Sequence, residues 1–85
     1  YVLDAVTQPL DQNQLDAMVA WTYNLGPTNL RSSTLLRVLN EGKMQEVPQQ
    51  MRRWNKANGK VLPGLERRRL AESMLFEGDP NWHEV

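Results

Sequence analysis

Two side chains at the end of a predicted helix, Tyr23 and Asn24, have the chemistry of a ligand-binding wall. An aromatic ring can stack on a sugar, and an amide both donates and accepts hydrogen bonds. A tyrosine that packs at a helix rim and an asparagine that caps backbone groups would leave the same trace in the sequence. On the residues alone, both interpretations stay open.

Arginines cluster at two other places. Trp54 follows Arg52 and Arg53, which could form a cationic ligand wall or stay solvated while the tryptophan packs in the core. Three more arginines, at positions 67–69, fall in the first turns of a predicted helix, where they oppose the positive end of the helix dipole. Glu66 relieves part of this repulsion, so plain surface charge remains an alternative to an acidic partner or ligand.

The sequence shows no catalytic machinery of its own. A glycosidase needs two carboxyl groups about 5 to 10 Å apart, one of them with a raised pKa. The candidate carboxylates are scattered and form no convincing pair: Asp4, Asp11, Asp16, Glu41, Glu46, Glu66 and Glu72. His83 stands alone and cysteine is absent, so we expect no nucleophile–base pair, no metal site and no cofactor.

Length and composition indicate one small globular domain. The chain has 85 residues, of which 40% are apolar and 24% are charged. Ten basic and ten acidic residues cancel, which argues against a nucleic-acid binder, and no apolar run approaches the roughly 20 residues of a membrane span. Because the chain begins at Tyr1 without a methionine or a signal-like segment, we expect it to be a fragment.

A helix over residues 12–24 organises the predicted fold. Asp11 and Gln14 fit a capping box at its start, and Gly26 with Pro27 fits its end and the start of the next helix. Residues at helical spacing form its expected buried stripe: Leu15, Met18, Val19 and Thr22. Trp21 would hold this helix in the core.

The rest of the chain predicts an all-α bundle of short helices without strands. The expected segments are a lead-in over 1–10, a helical turn over 28–31, helices over about 34–40, 44–52 and 64–76, a loop over 54–64 and a fraying tail over 77–85. The expected apolar face of the last helix consists of Leu65, Leu70, Ala71, Met74 and Leu75.

Three segments closely resemble phage-type lysozymes, the endolysins of glycoside hydrolase family 24. They are AMVAWTYNLG at 17–26, STLLRVLN at 33–40 and RWNKANGKVLPGLERRR at 53–69. The resemblance runs from about Thr7 to Phe76. It implies that residues 1–85 form the helical C-terminal lobe of such an enzyme, which packs against an N-terminal lobe across a peptidoglycan-binding cleft.

The resemblance also implies a chemistry. The family cleaves the β-1,4 bond between N-acetylmuramic acid and N-acetylglucosamine in bacterial peptidoglycan and so lyses the host cell. Its catalytic Glu, Asp and Thr lie in the N-terminal lobe, which this sequence lacks. No residue of this chain inherits those roles, and the isolated chain is expected to be inactive.

Supporting positions can be carried over from the resemblance one by one. Tyr23 and Asn24 match the aromatic–amide pair at the family's cleft. Trp54 matches the tryptophan that anchors the lobe behind that pair. One arginine among 67–69, for which Arg68 is favoured, resembles the partner of the catalytic glutamate.

The leading hypothesis is the C-terminal lobe of a phage endolysin that acts on the cell wall from the cytoplasm or periplasm of the host bacterium. A second hypothesis is a non-catalytic helical module that binds glycan or protein. A nucleic-acid binder that uses the arginines is disfavoured by the zero net charge. If the N-terminal lobe is missing, the surface it would cover predicts self-association or marginal stability of the chain.

Overall fold

The computed structural model describes residues 2–85, and most of them are helical. The six α-helices are α1 Val2–Ala5, α2 Gln12–Leu25, α3 Pro27–Ser32, α4 Thr34–Asn40, α5 Val47–Arg52 and α6 Pro63–Glu77. The remaining elements are the 3-10 segments Met44–Glu46 and Pro80–Glu84 and the short strands β1 Lys56–Ala57 and β2 Lys60–Val61. The prediction of an all-α bundle of short helices is confirmed.

Helix α2 is the central element, and it begins where the sequence places its cap. The N–H of Gln14 donates to the Asp11 carboxylate at 2.8 Å, and the N–H of Asp11 donates to the Gln14 side chain at 2.9 Å. These two bonds satisfy backbone donors that a helix start otherwise leaves free. Trp21 is fully buried, and α2 packs most extensively against α6.

Helices α3 and α4 follow α2 without long loops. Gly26 has a φ of 92°, which side-chain-bearing residues rarely adopt, and it turns the chain into Pro27 at the first position of α3. The Ser33 hydroxyl accepts a hydrogen bond from the N–H of Leu36 at 3.1 Å and so caps α4. These helices contribute four side chains to the core: Leu30, Leu35, Val38 and Leu39.

Helix α5, a hairpin and the start of α6 meet at one end of the molecule. Pro48 lies in the first turn of α5, where its missing N–H is tolerated. Asn58 and Gly59 have φ values of 52° and 79° and form the two-residue turn between β1 and β2. The N–H of Leu62 donates to the carbonyl of Asn55 at 3.1 Å and closes the base of this hairpin.

Two predictions about irregular segments are wrong. The segment 54–64 was expected to be only a loop, yet it contains the β1–β2 hairpin, whose two-residue strands are too short to show an alternating pattern. The tail was expected to fray, yet the Asp79 carboxylate accepts a hydrogen bond from the N–H of Asn81 at 2.9 Å and starts a 3-10 segment that packs on α6.

The buried faces of α2 and α6 also differ from the predicted ones. The predicted apolar residues of α6 are only half-buried, and the face that turns inward consists of Arg69, Glu72, Ser73 and Phe76. On α2, Val19 is 49% exposed although it was expected inside. Because Arg69 and Glu72 carry opposite charges and neutralise each other, they can occupy inward positions that a search for apolar spacing assigns to the surface.

Asn40, the last residue of α4, holds the lead-in against the helical body. Its side-chain nitrogen donates to the carbonyl of Ala5 at 3.1 Å, and its side-chain oxygen accepts from the N–H of Thr7 at 2.9 Å. The side chain of Gln8 donates to the Asn40 carbonyl at 2.9 Å. Residues 5–8 are therefore fixed by hydrogen bonds, while Val2 inserts into the core.

We expect Asn40→Ala to lower the free energy of unfolding by about 1–3 kcal/mol, because two backbone groups of the lead-in lose their partner. Urea denaturation measures this loss, and hydrogen exchange at the N–H of Thr7 should become faster. Asn13→Ala, at an exposed position of α2, is the matched control. Equal stability of the two variants would contradict the assigned role of Asn40.

Candidate functional site

A buried arginine–glutamate pair lies at the base of the candidate site. Arg69 and Glu72 are three residues apart on α6, and their side chains are 0% and 6% exposed. Nη2 of Arg69 donates to Oε2 of Glu72 at 3.0 Å, and Nε of Arg69 lies 2.8 Å from Oε1. The second contact lacks the alignment of a hydrogen bond, so it contributes mainly as an ion pair.

Asn24 connects this pair to the end of α2. Nη2 of Arg69 also donates to Oδ1 of Asn24 at 2.7 Å, a short bond from a charged donor. Asn24 is otherwise exposed, and the neighbouring Tyr23 is 90% exposed. The amide of Asn24 is thus held in one orientation beside a tyrosine ring that stands in solvent, an arrangement suited to stacking and hydrogen bonding with a polar ligand.

Trp54 supports the end of α2 from the core side. Its ring meets that of Trp21 edge to face, with centroids 5.4 Å apart and planes at 81°. Such aromatic pairs stabilise a contact by about 0.5–1.5 kcal/mol beyond the area they bury. Trp21 precedes Tyr23 and Asn24 on α2, so the position of the exposed pair depends on this contact. The part that Trp54 plays toward a substrate stays a prediction.

The structure separates the three arginines that the sequence left together. Arg67 and Arg68 are exposed, whereas Arg69 is buried. Arg69, and not Arg68, contacts Asn24. Arg68 lines a cavity of about 170 Å³ together with Glu72 and Trp82.

The electrostatics of the pair are set by its burial. Burial penalises the ionised carboxylate and raises the pKa of Glu72 to about 7, although the guanidinium groups of Arg69 and Arg68 act in the opposite direction. Burial also lowers the pKa of Arg69, which nevertheless stays charged because a guanidinium holds its proton far above neutrality.

The candidate site offers groups suited to holding a polar ligand, whereas Glu72 is poorly placed to act as an acid. Glu72 has the raised pKa of a general acid, but it is buried and both of its oxygens face Arg69. Within residues 2–85, no group of three or more His, Cys, Asp or Glu side chains could hold a metal ion. The arrangement supplies an aromatic ring, an oriented amide and nearby cations.

The sequence singled out Tyr23, Asn24 and Trp54, whose part in ligand binding stays a prediction, but the pairing of Arg69 with Glu72 was missed. The three-residue spacing on one helix was a usable signal, since oppositely charged residues at that spacing are neighbours. Glu72 was instead grouped with the scattered carboxylates. The spacing did not show that both side chains lie on the buried face of α6.

The raised pKa of Glu72 predicts a pH-dependent stability. Between the ordinary value of 4.5 and about 7, the folded chain binds more protons than the unfolded one, so the free energy of unfolding falls as pH rises through this window. Glu72→Gln should remove this decrease in the free energy of unfolding, which is on the order of 1–3 kcal/mol across the window. Urea midpoints across the window measure it.

Glu77→Gln, at an exposed position near the end of the same helix, is the control and should leave the slope as it is. The role assigned to Glu72 is wrong if both variants keep the slope of the unmodified chain.

A comparison with known proteins gives a consistent result. The family model described as "Phage lysozyme" matches residues 1–72. The endolysin of Bacillus phage PZA is 46% identical over 72 residues, which cover 85% of this chain and 28% of the endolysin.

Two solved structures are similar in both sequence and fold. The endolysin from Escherichia coli O157:H7 phage FAHEc1 superposes with a TM-score of 0.78 at 34% identity. The alignment covers 85% of this chain and 48% of the endolysin. The muramidase domain of SpmX from Asticaccaulis excentricus superposes with a TM-score of 0.82 at 42% identity. The alignment covers 88% of this chain and 54% of the muramidase domain. This chain thus spans about a quarter to a half of the relatives it matches. With the family model covering most of its length, the chain belongs to the phage lysozyme family.

Proposed function

We propose that this chain is the helical lobe of an endolysin that hydrolyses the β-1,4 bond between N-acetylmuramic acid and N-acetylglucosamine in bacterial peptidoglycan. Family membership supports the reaction class. The observation that carries the proposal for this lobe is the exposed pair Tyr23 and Asn24, held in place by the buried Arg69. A sugar chain offers the ring faces and the acetamido and hydroxyl groups that such a pair recognises.

In this proposal the chemistry needs carboxyl groups from outside residues 1–85. Hydrolysis of a glycosidic bond uses an acid near the scissile oxygen and a second carboxyl group a few ångströms away. Glu72 is shielded from a substrate by its burial and by Arg69. The catalytic carboxylates would therefore come from a second lobe, and the 85-residue chain alone would be inactive.

Arg68 is the residue of this lobe that we assign to an incoming acid. Arg69 already contacts Glu72 and Asn24, whereas Arg68, one position earlier on α6, is exposed. A guanidinium beside a glutamic acid favours its ionised form and orients it by hydrogen bonds. Arg68 would thus position the acid without touching the scissile bond.

The place of action follows from the substrate. An endolysin made in an infected bacterium would act on the cell wall from the cytoplasmic or periplasmic side of the host. None of the helices in residues 2–85 combines the length and the apolar character that a membrane crossing requires. The proposed reaction requires no cofactor, because carboxyl groups and water suffice for it.

The function is tested by the clearing of a suspension of purified peptidoglycan. We expect clearing by the longest natural polypeptide that contains this chain and none by the 85-residue chain alone, because the acids lie outside it. Clearing by the 85-residue chain would mean that its own carboxylates perform the reaction. If the longer polypeptide binds peptidoglycan but does not clear it, the non-catalytic binding module becomes the better description.

The assignment of Arg68 has its own test in the longer polypeptide. Arg68→Ala should slow clearing by about tenfold or more, because the acid loses a charged partner. It should also move the alkaline limb of the pH–rate profile to higher pH, because loss of the cation raises the pKa of the acid, which a purely structural role would not do. Arg67→Ala, an exposed neighbour, should change neither rate nor profile appreciably. Equal effects of the two substitutions would refute the assignment.

A further inference from the structure

The zero net charge of the chain conceals a strong separation of charge. Between positions 52 and 69 the sequence has seven basic residues and one acidic residue, Glu66. The rest of the chain has three basic residues and nine acidic ones. A net charge of zero argues against polyanion binding only when the charges are mixed over the surface, and here they are not.

The fold brings the parts of this basic segment next to one another. The segment comprises the end of α5, the β1–β2 hairpin and the start of α6, which the bond from Leu62 to Asn55 holds together. We call the exposed cations of this segment, apart from Arg68, the basic end: Arg52, Arg53, Lys56, Lys60 and Arg67. The N-terminus of α6, which has no side-chain cap, adds the positive end of a 15-residue helix dipole.

The charges of the basic end are available to an outside partner. The ion pairs of the described part of the chain include Lys43 with Glu41 and Arg69 with Glu72, and no cation of the basic end takes part in either. Cations that share a surface without counter-charges repel one another at low salt. An anionic surface would relieve that repulsion.

Apolar side chains within the basic end indicate what kind of anionic surface it fits. Val61 and Leu62 are 46% and 42% exposed. Val61 pairs with Lys56 across the hairpin, so these two side chains emerge on the same face. A dissolved polyanion offers such residues nothing, whereas the headgroup region of a bilayer accepts apolar side chains beside cations.

We propose that the basic end docks this chain on the surface of an anionic phospholipid bilayer. The cations lie among the lipid phosphates, and Val61 and Leu62 enter the headgroup region. This surface contact needs no membrane-spanning helix. It goes beyond the proposed hydrolysis and does not depend on it.

The test is sedimentation of the 85-residue chain with vesicles that contain phosphatidylglycerol and phosphatidylcholine or phosphatidylcholine alone. We expect binding at least about tenfold tighter to the anionic vesicles, since each basic residue near such a surface adds to the attraction. Binding should weaken between about 0.05 M and about 0.5 M salt. Equal binding to both vesicle types, or no binding to either, would overturn the proposal.

Matched variants locate the binding surface. The double variant Lys56→Glu, Lys60→Glu should bind the anionic vesicles at least about tenfold more weakly. The double variant Arg37→Glu, Lys43→Glu changes the net charge equally but outside the basic end, and its affinity should stay within about threefold of that of the unmodified chain. Val61→Ser with Leu62→Ser should weaken binding about threefold or more. Circular dichroism confirms that each variant is folded.

Two results with these variants would also contradict the proposal. Equal losses in the two charge-reversal variants would mean that net charge alone decides. If inorganic polyphosphate or duplex DNA bound as tightly as the anionic vesicles and the Val61→Ser, Leu62→Ser variant kept full affinity, the surface would be a general polyanion site and not a membrane-docking one.

Discussion

The structure depends on the burial of Arg69 against Glu72. Two charges taken out of water are costly to bury, and they are tolerated only when each meets the other at close range. Here the contacts are 2.8 and 3.0 Å, and the arginine also reaches Asn24 on α2. Because both charges are on α6, the contact that constrains the orientation of this helix is the bond from Arg69 to Asn24. The same guanidinium ties α6 to the end of α2, so the main helix–helix contact of the lobe and the orientation of the candidate site have a common origin.

What could be predicted from the sequence was local in origin. The start of α2 was evident from Asp11 and Gln14, whose side chains exchange hydrogen bonds with each other's backbone, and the start of α3 from Gly26 and Pro27. The side chains of Tyr23 and Asn24 were placed at the end of α2 for the same reason. What could not be predicted depended on distant partners. The inward face of α6 was misjudged because an ion pair replaces apolar side chains there, and the two-residue strands of the hairpin carry no periodic signal.

The distribution of charge along the chain carries information that the net charge does not. The sum over the chain is zero and suggested indifference to anionic partners. The fold instead collects the cations around a hairpin and the start of α6, and it leaves the acidic excess on the remaining helices. An uneven distribution of charge gives a protein an electric dipole, which biases the side by which it approaches a charged surface. The arrangement of charges along the chain, which is visible in the sequence, was therefore more informative than their sum.

The edge-to-face contact of Trp21 and Trp54 has a consequence for how this lobe can be observed. Two indole rings 5.4 Å apart at nearly right angles are close enough for their electronic transitions to couple. Loss of that geometry changes near-ultraviolet circular dichroism even where the helices persist. The third tryptophan, Trp82, is 40% exposed and emits from a more polar environment. The molecule thus carries an intrinsic optical reporter of the packing behind Tyr23 and Asn24, readable without any label.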